Sequence, residues 1–270
     1  LIVPNLPNLI VAGAMKCGTT SLHAYLDLHP DVAMSRPKEL NFFAGCNQGR
    51  GLDWYSSYFD SLTRVRGESS QNYTKRHHPK FNLAAQRMFQ VVPKAKIVYL
   101  VRDPIDRYIS HMKFNNYNEI DDFDRGRILK WHYIKTGMYY FQLLELLRFF
   151  DERNLLVVDL DEMFASRCAT MNRVFAFLGL DPLPADDRFR FEVNRGSELR
   201  IPRGFRANPI VRSAGAVAPE MTERALRWIA RRRGAEALTR GEADQLREIY
   251  ARDVAQLRAL TGQRFAGWSL

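Results

Sequence analysis

A chain of 270 residues with 46% hydrophobic and 26% charged side chains can bury a sizeable core, and no long segment is apolar-poor enough to read as disordered. Its formal net charge of +10 favours an anionic ligand: nucleic acid, an acidic polymer, a membrane surface or a polyphosphorylated cofactor. Three cysteines, Cys17, Cys46 and Cys168, are odd in number and lack CxxC spacing, which argues against a disulfide framework or a zinc site and fits a reducing compartment.

Taken in chain order, residues 8–12 (NLIVA) form a short β-branched apolar run ending at Gly13, the pattern of a buried strand. Leu22, Tyr25 and Leu26 then recur at helical spacing, and His29-Pro30 ends that helix. Val65 to Glu68 is a weaker strand. Lys96 to Val101 (KIVYLV) is a clear one, followed by Asp103 as N-cap and Pro104 at the first helical position. Ile105, Tyr108, Ile109 and Met112 mark one apolar face of that helix. A helix carrying Leu143, Leu144 and Leu147 precedes another strand, Asn154 to Leu160. Strands alternating with helices predict a parallel sheet wrapped by helices on both faces. Residues 181–215 read as a long irregular segment, and two amphipathic helices follow, about 219–233 and 240–261. No composition shift marks a domain boundary, so a single domain spanning 1–270 is expected, with its core at about 8–180. The apolar runs are too short to span a bilayer, and the N-terminus has no signal-peptide pattern, which together predict a cytoplasmic protein.

Gly13, Lys16, Cys17, Gly18, Thr19, Thr20 and Ser21 lie between a predicted strand and a predicted helix, the context of a phosphate-binding loop. Gly13 and Gly18 keep the glycine spacing of the Walker pattern, but Thr19 stands where its lysine belongs, and the lysine has moved into the loop as Lys16. Such a loop suits a single 5′-phosphate with Lys16 near the bond that breaks.

These residues carry a resemblance. AMKCGTTSLHAYLDLHPDV resembles the 5′-phosphosulfate loop of sulfotransferases that use 3′-phosphoadenosine-5′-phosphosulfate (PAPS), and KIVYLVRDPIDRYISHMKF resembles the 3′-phosphate motif of the same family. PKELNFF and GESSQNY are similar to the heparan-sulfate-type and related bacterial branch. The resemblance implies a P-loop-like α/β fold and metal-independent transfer of a sulfuryl group to a hydroxyl or amine, leaving 3′,5′-ADP. It implies that Lys16 stabilises the leaving oxygen, that Cys17, Gly18, Thr19, Thr20 and Ser21 hold the 5′-phosphate, and that Arg102 and Ser110 hold the 3′-phosphate. Glu39 is the implied base, with Phe42 and Phe43 as an apolar wall. A late glycine loop over the nucleotide is expected at Arg195-Gly196 or at Arg203. Ser69 stands where the branch has a lysine, so a site cation must come from elsewhere, with Lys75 and Arg76 as the candidates.

The six histidines show no metal-ligand spacing beyond the adjacent pair His77 and His78, and surface or helix-packing roles are expected for them. Arg231-Arg232-Arg233 reads as a solvated helix face. Aromatic-rich loops at 44–58 and 112–136 suit a small-molecule or carbohydrate acceptor, and no nucleic-acid motif is present. The alanine- and arginine-rich tail suits a bacterial enzyme of secondary metabolism. Two readings compete: a P-loop kinase or nucleotide hydrolase, with Asp159 or Asp161 toward magnesium, and a non-catalytic anion-binding protein.

Overall fold

In a computed structural model, residues 5–59, 62–118, 130–184, 187–191 and 238–270 are described, together with Pro209, Ser213 and Met221; for 115–118 and 187 only the backbone is. Five parallel strands form one sheet in the order β2-β3-β1-β4-β5. They are β1 (Leu9–Gly13), β2 (Val32–Met34), β3 (Val65–Ser69), β4 (Lys96–Val101) and β5 (Leu155–Asp159). Helices pack on both faces, and β1 and β4 are almost wholly buried, as their unbroken apolar runs predict. The three-residue β2, on an edge, is too short to show a sequence period.

Strand β1 is central: Val11 is level with Ser69 of β3 on one side and with Val98 of β4 on the other. The chain leaves β1 for the β2 side and crosses to β4 only after β3. Every strand of this parallel sheet points the same way, so the segments following β1, β3 and β4 converge at one edge. A crevice at such a reversal is where open α/β sheets bind ligands.

Helix α1 (Thr19–Leu26) follows β1, and α4 (Pro104–Asn118) follows β4. Asp103 caps α4 as expected, its Oδ1 accepting from the N–H groups of Ile105 at 2.8 Å and Asp106 at 3.1 Å. The buried face of α4 differs from the hydropathy reading. Ile105 and Tyr108 are buried, but Arg107 and His111 join them, while Ile109 and Met112 are only partly covered. Arg107 is tolerated there because its guanidinium donates to the Tyr133 carbonyl and pairs with His111 Nδ1 at 3.2 Å.

The remaining helices are α2 (Gly51–Ser56), α3 (Ala84–Val91), α5 (Trp131–Gly137), α6 (Tyr139–Leu147), α7 (Leu160–Ala165), α8 (Arg167–Leu178) and α9 (Arg240–Thr261). Helix α9 begins in a capping box between Thr239 and Glu242 and packs against α6 and α4. Its Asp253 accepts from the N–H groups of Phe141 and Tyr140 at the start of α6. The expected helix at 219–233, the late loops with Arg195, Gly196 and Arg203, and the Arg231–Arg233 cluster lie outside the described residues.

Candidate active site

The loop from Gly13 to Gly18 leaves the end of β1 and feeds α1. Gly18 sits at φ 82°, and a Cβ there would meet Leu160 Cδ1 at 2.4 Å, so backbone conformation and crowding both require glycine. Thr19, Thr20 and Ser21 form the first turn of α1, whose N–H groups have no intrahelical acceptor and so face an anion well. The Cys17 thiol is buried, which raises its pKa, and its N–H donates to the Ala14 carbonyl at 3.2 Å.

Lys16 adopts φ 71° and lays its ammonium over the Phe114 ring, 4.2 Å from the centroid. That contact brings the β1–α1 and β4–α4 units together. A second link is the Tyr139 hydroxyl: it donates to the Arg102 carbonyl at 2.9 Å and lies 3.4 Å from Cys17 Sγ. Arg102 follows β4 and pairs with exposed Asp106 at 3.2 Å, a weak surface bridge that an incoming phosphate can replace. Ser110, two turns on, is half-buried.

Glu39 comes from the segment after β2. Its N–H donates to the Ser69 carbonyl at 2.9 Å, which ties it to the end of β3. Like Lys16 it is left-handed, at φ 66°. Non-glycine residues rarely adopt this conformation and cluster at functional sites when they do. Oε1 accepts from Lys38 at 2.8 Å and Oε2 from Gln71 at 3.3 Å, yet the side chain keeps 31% of its exposure. Glu39 is thus paired with Lys38 in a half-buried setting.

Phe42 and Phe43 are core, packed on Tyr55 at 4.4 Å and 5.1 Å between centroids. The carboxylate they help to bury is Glu68, which accepts hydroxyl hydrogen bonds from Tyr55, Tyr73 and Ser70 and whose pKa is raised by desolvation. Tyr55, Phe59 and Tyr133, from the aromatic loops, are also buried; Tyr117 and Phe123 lie outside the residues whose side chains are described.

Ser69 is buried and bonded to His23 Nδ1 at 2.8 Å. Arg76 points elsewhere, to Glu145 at 3.4 Å and the Phe141 ring. Lys75 instead is buried, with Nζ 3.3 Å from Met15 Sδ. His77 and His132 pair at 3.0 Å beside His78 and His111. His111 is 1% exposed and His29 is 4%, so these two pack in the interior rather than at the surface. Among the described residues no group of His, Cys, Asp or Glu is arranged to hold a metal ion, and no helix is long and apolar enough to cross a membrane.

Gln71 and Tyr139 were not expected at the site. Gln71 lies within a motif that was recognised, but Tyr139 carries no local signal of its contact.

The family model for the sulfotransferase domain matches residues 6–207. Bifunctional heparan sulfate N-deacetylase/N-sulfotransferase 1 of Caenorhabditis elegans is 27% identical over 238 residues, covering 81% of this chain and 27% of that protein. Bifunctional heparan sulfate N-deacetylase/N-sulfotransferase 2 of Bos taurus is 28% identical over 242 residues, covering 80% and 27%. The chain thus spans about a quarter of the length of the curated relatives it matches. A sulfotransferase from Alicyclobacillus acidocaldarius superposes with a TM-score of 0.66 at 23% identity, covering 98% of this chain and 99% of that one. The sulfotransferase domain from the curacin biosynthetic pathway gives 0.51 at 13% identity, covering 68% and 77%. Both share the fold.

Proposed function

The chain belongs to the sulfotransferase domain family, whose function is PAPS-dependent sulfuryl transfer, and we propose that it performs this reaction, without a metal, through Lys16, Arg102 and Glu39. The observation that carries the reading is the convergence of an anion-binding loop and an arginine at one sheet edge, joined by Tyr139. The residues fit the donor's two anionic ends. The first turn of α1 and Cys17, Gly18, Thr19, Thr20 and Ser21 would hold the 5′-phosphate, while Arg102 and Ser110 would hold the 3′-phosphate.

In the transfer, the acceptor oxygen or nitrogen forms a bond to sulfur as the bond from sulfur to the bridging phosphate oxygen breaks. Glu39 takes the acceptor proton, and Lys16 offsets charge growing on the leaving oxygen of 3′,5′-ADP. A half-exposed carboxylate at the edge of the crevice is open to an incoming acceptor. The acceptor we favour is a small molecule or carbohydrate, in a cytoplasmic bacterial enzyme of secondary metabolism acting as one domain over 1–270. The heparan sulfate N-sulfotransferases among its relatives, together with the +10 net charge, support an anionic carbohydrate within that range.

Calorimetric titration of wild type and Arg102→Ala with 3′,5′-ADP, and separately with ADP plus Mg²⁺, tests this. Metal-independent binding of 3′,5′-ADP that weakens at least tenfold in the variant is expected. Preference for ADP with Mg²⁺ would overturn it in favour of a kinase or hydrolase.

A further inference from the structure

Lys75 is a buried cation with no carboxylate in ion-pair range among the described residues. It is 6% exposed, its Nζ meets only the Met15 thioether at 3.3 Å, and the Phe81 ring lies 5.7 Å away. A thioether is a weak acceptor, and an ammonium removed from water without an anion costs several kcal/mol. A cation held this way is poised for an anion.

Its position says which one. Lys75 directly follows the 3₁₀ turn Gln71–Thr74, and that turn touches both sides of the crevice. On one side Thr74 Oγ1 donates to the Ala12 carbonyl at 3.0 Å, and Lys75 itself reaches Met15, the residue before Lys16. On the other, Gln71 donates to Glu39 Oε2 at 3.3 Å and Asn72 to Asn41 at 2.9 Å. In an in-line displacement the transferring group lies between the leaving oxygen, at Lys16, and the nucleophile, at Glu39. The turn that carries Lys75 is hydrogen-bonded to the segments of both anchors. Ser69, at the end of β3, is neutral, buried and bonded to His23, so it supplies no charge.

We infer that Lys75 is the sulfonate-binding cation of this site, its ammonium contacting the non-bridging sulfonate oxygens of the donor. Burial lowers its pKa to about 8 in the free protein. Glu39 and Cys46 face it as negative or ionisable groups from the segment after β2; Arg107 and His111 face it from α4, His132 from α5, and His77 and His78 from its own segment. Glu39 opposes the lowering and Arg107 adds to it. Lys75 is therefore charged below about pH 8 and loses its proton as pH rises through that value. Donor affinity that depends on it should fall over the same range.

The inference rests on the PAPS reading above, and binding separates the two. PAPS and 3′,5′-ADP differ by the sulfonate, so wild type, Lys75→Met and Lys75→Arg are titrated with each, at pH 7 and pH 9.5. Methionine keeps the length and suits the apolar surroundings, and an unchanged melting temperature checks the fold. The expected result for Lys75→Met is about tenfold weaker PAPS binding, with 3′,5′-ADP affinity held within twofold. Lys75→Arg should recover part of the loss. The wild-type preference for PAPS should shrink at pH 9.5, while that of Lys75→Met should not change. Equal weakening of both nucleotides in Lys75→Met, or unchanged PAPS binding, overturns the inference and leaves the PAPS reading standing. Failure of wild type to bind 3′,5′-ADP overturns the PAPS reading itself.

Discussion

The Tyr139 hydroxyl holds the backbone of Arg102 on both sides, donating to its carbonyl at 2.9 Å and accepting from its N–H at 3.4 Å. The same oxygen lies 3.4 Å from Cys17 Sγ, so one side chain at the start of α6 sets the phosphate loop against the arginine that follows β4.

Tyr139→Phe should therefore weaken 3′,5′-ADP binding severalfold. The ring still fills its place, but a buried carbonyl loses its donor at a cost of about 1–3 kcal/mol. Calorimetry beside a thermal melt measures both effects; a lowered melting temperature with unchanged nucleotide affinity would mean that the hydroxyl serves the fold alone.

Lys16→Ala and Glu39→Gln should each lower kcat by about 10²–10³ with a chosen acceptor, since each removes one group acting mainly in the transition state. Neither should change 3′,5′-ADP affinity more than a few-fold. A Glu39→Gln enzyme that turns over at the wild-type rate would assign the base elsewhere.

Trp268 fastens the C-terminal segment to the sheet edge. Its ring lies 4.4 Å from that of Phe265 and 5.8 Å from that of Tyr139, and its Nε1 donates to Asp159 at 3.2 Å. Next to it, Ser269 donates through its hydroxyl to Asp103 Oδ2 at 2.7 Å. Trp268→Ala should destabilise the protein by roughly 3–5 kcal/mol, read from urea unfolding midpoints. A loss under 1 kcal/mol would show that the segment is not part of the cooperative fold.

Acid should destabilise the protein. Burial lowers His23 to about 4, and His77 and His132 to about 3, so below the ordinary histidine value of 6.5 the unfolded chain takes up protons that the folded one refuses. Asp159 and Asp253 act in the opposite sense. Burial raises both to about 6, so their contribution is fully present below 3.8 and is lost as pH rises through about 6. His78 and His111 are lowered as well, and Glu68 and Asp161 raised, so between pH 4 and 6 five histidines oppose four carboxylates. Stability should fall as pH is lowered, by about 1.4 kcal/mol per pH unit or more. Urea titrations at pH 6 and pH 5 check the sign.

Much of the fold was legible because its signals are local. The β-branched run of β4, the Asp103-Pro104 start of α4 and the limits of α9 at residues 240 and 261 depend on neighbours in sequence. The edge strand β2 was not visible, since three residues carry no period. The buried face of α4 was misread for a related reason: Arg107 pairs with His111 and donates to the Tyr133 carbonyl, and hydropathy cannot register a partner that arrives from α5.

The sequence by itself determined the chemistry offered: a glycine loop with its lysine at position 16, an arginine after the fourth strand, and a lysine at position 75. Motif spacing and turn chemistry act over a few residues and need no fold to be read. Only the tertiary structure decided which charges meet. It turned Arg76 away to Glu145, buried Lys75 beside Met15, made Glu68 rather than Glu39 the desolvated carboxylate, and brought Tyr139 to Arg102. Those contacts join residues far apart in the chain, and the sheet order and the burial of each side chain set them.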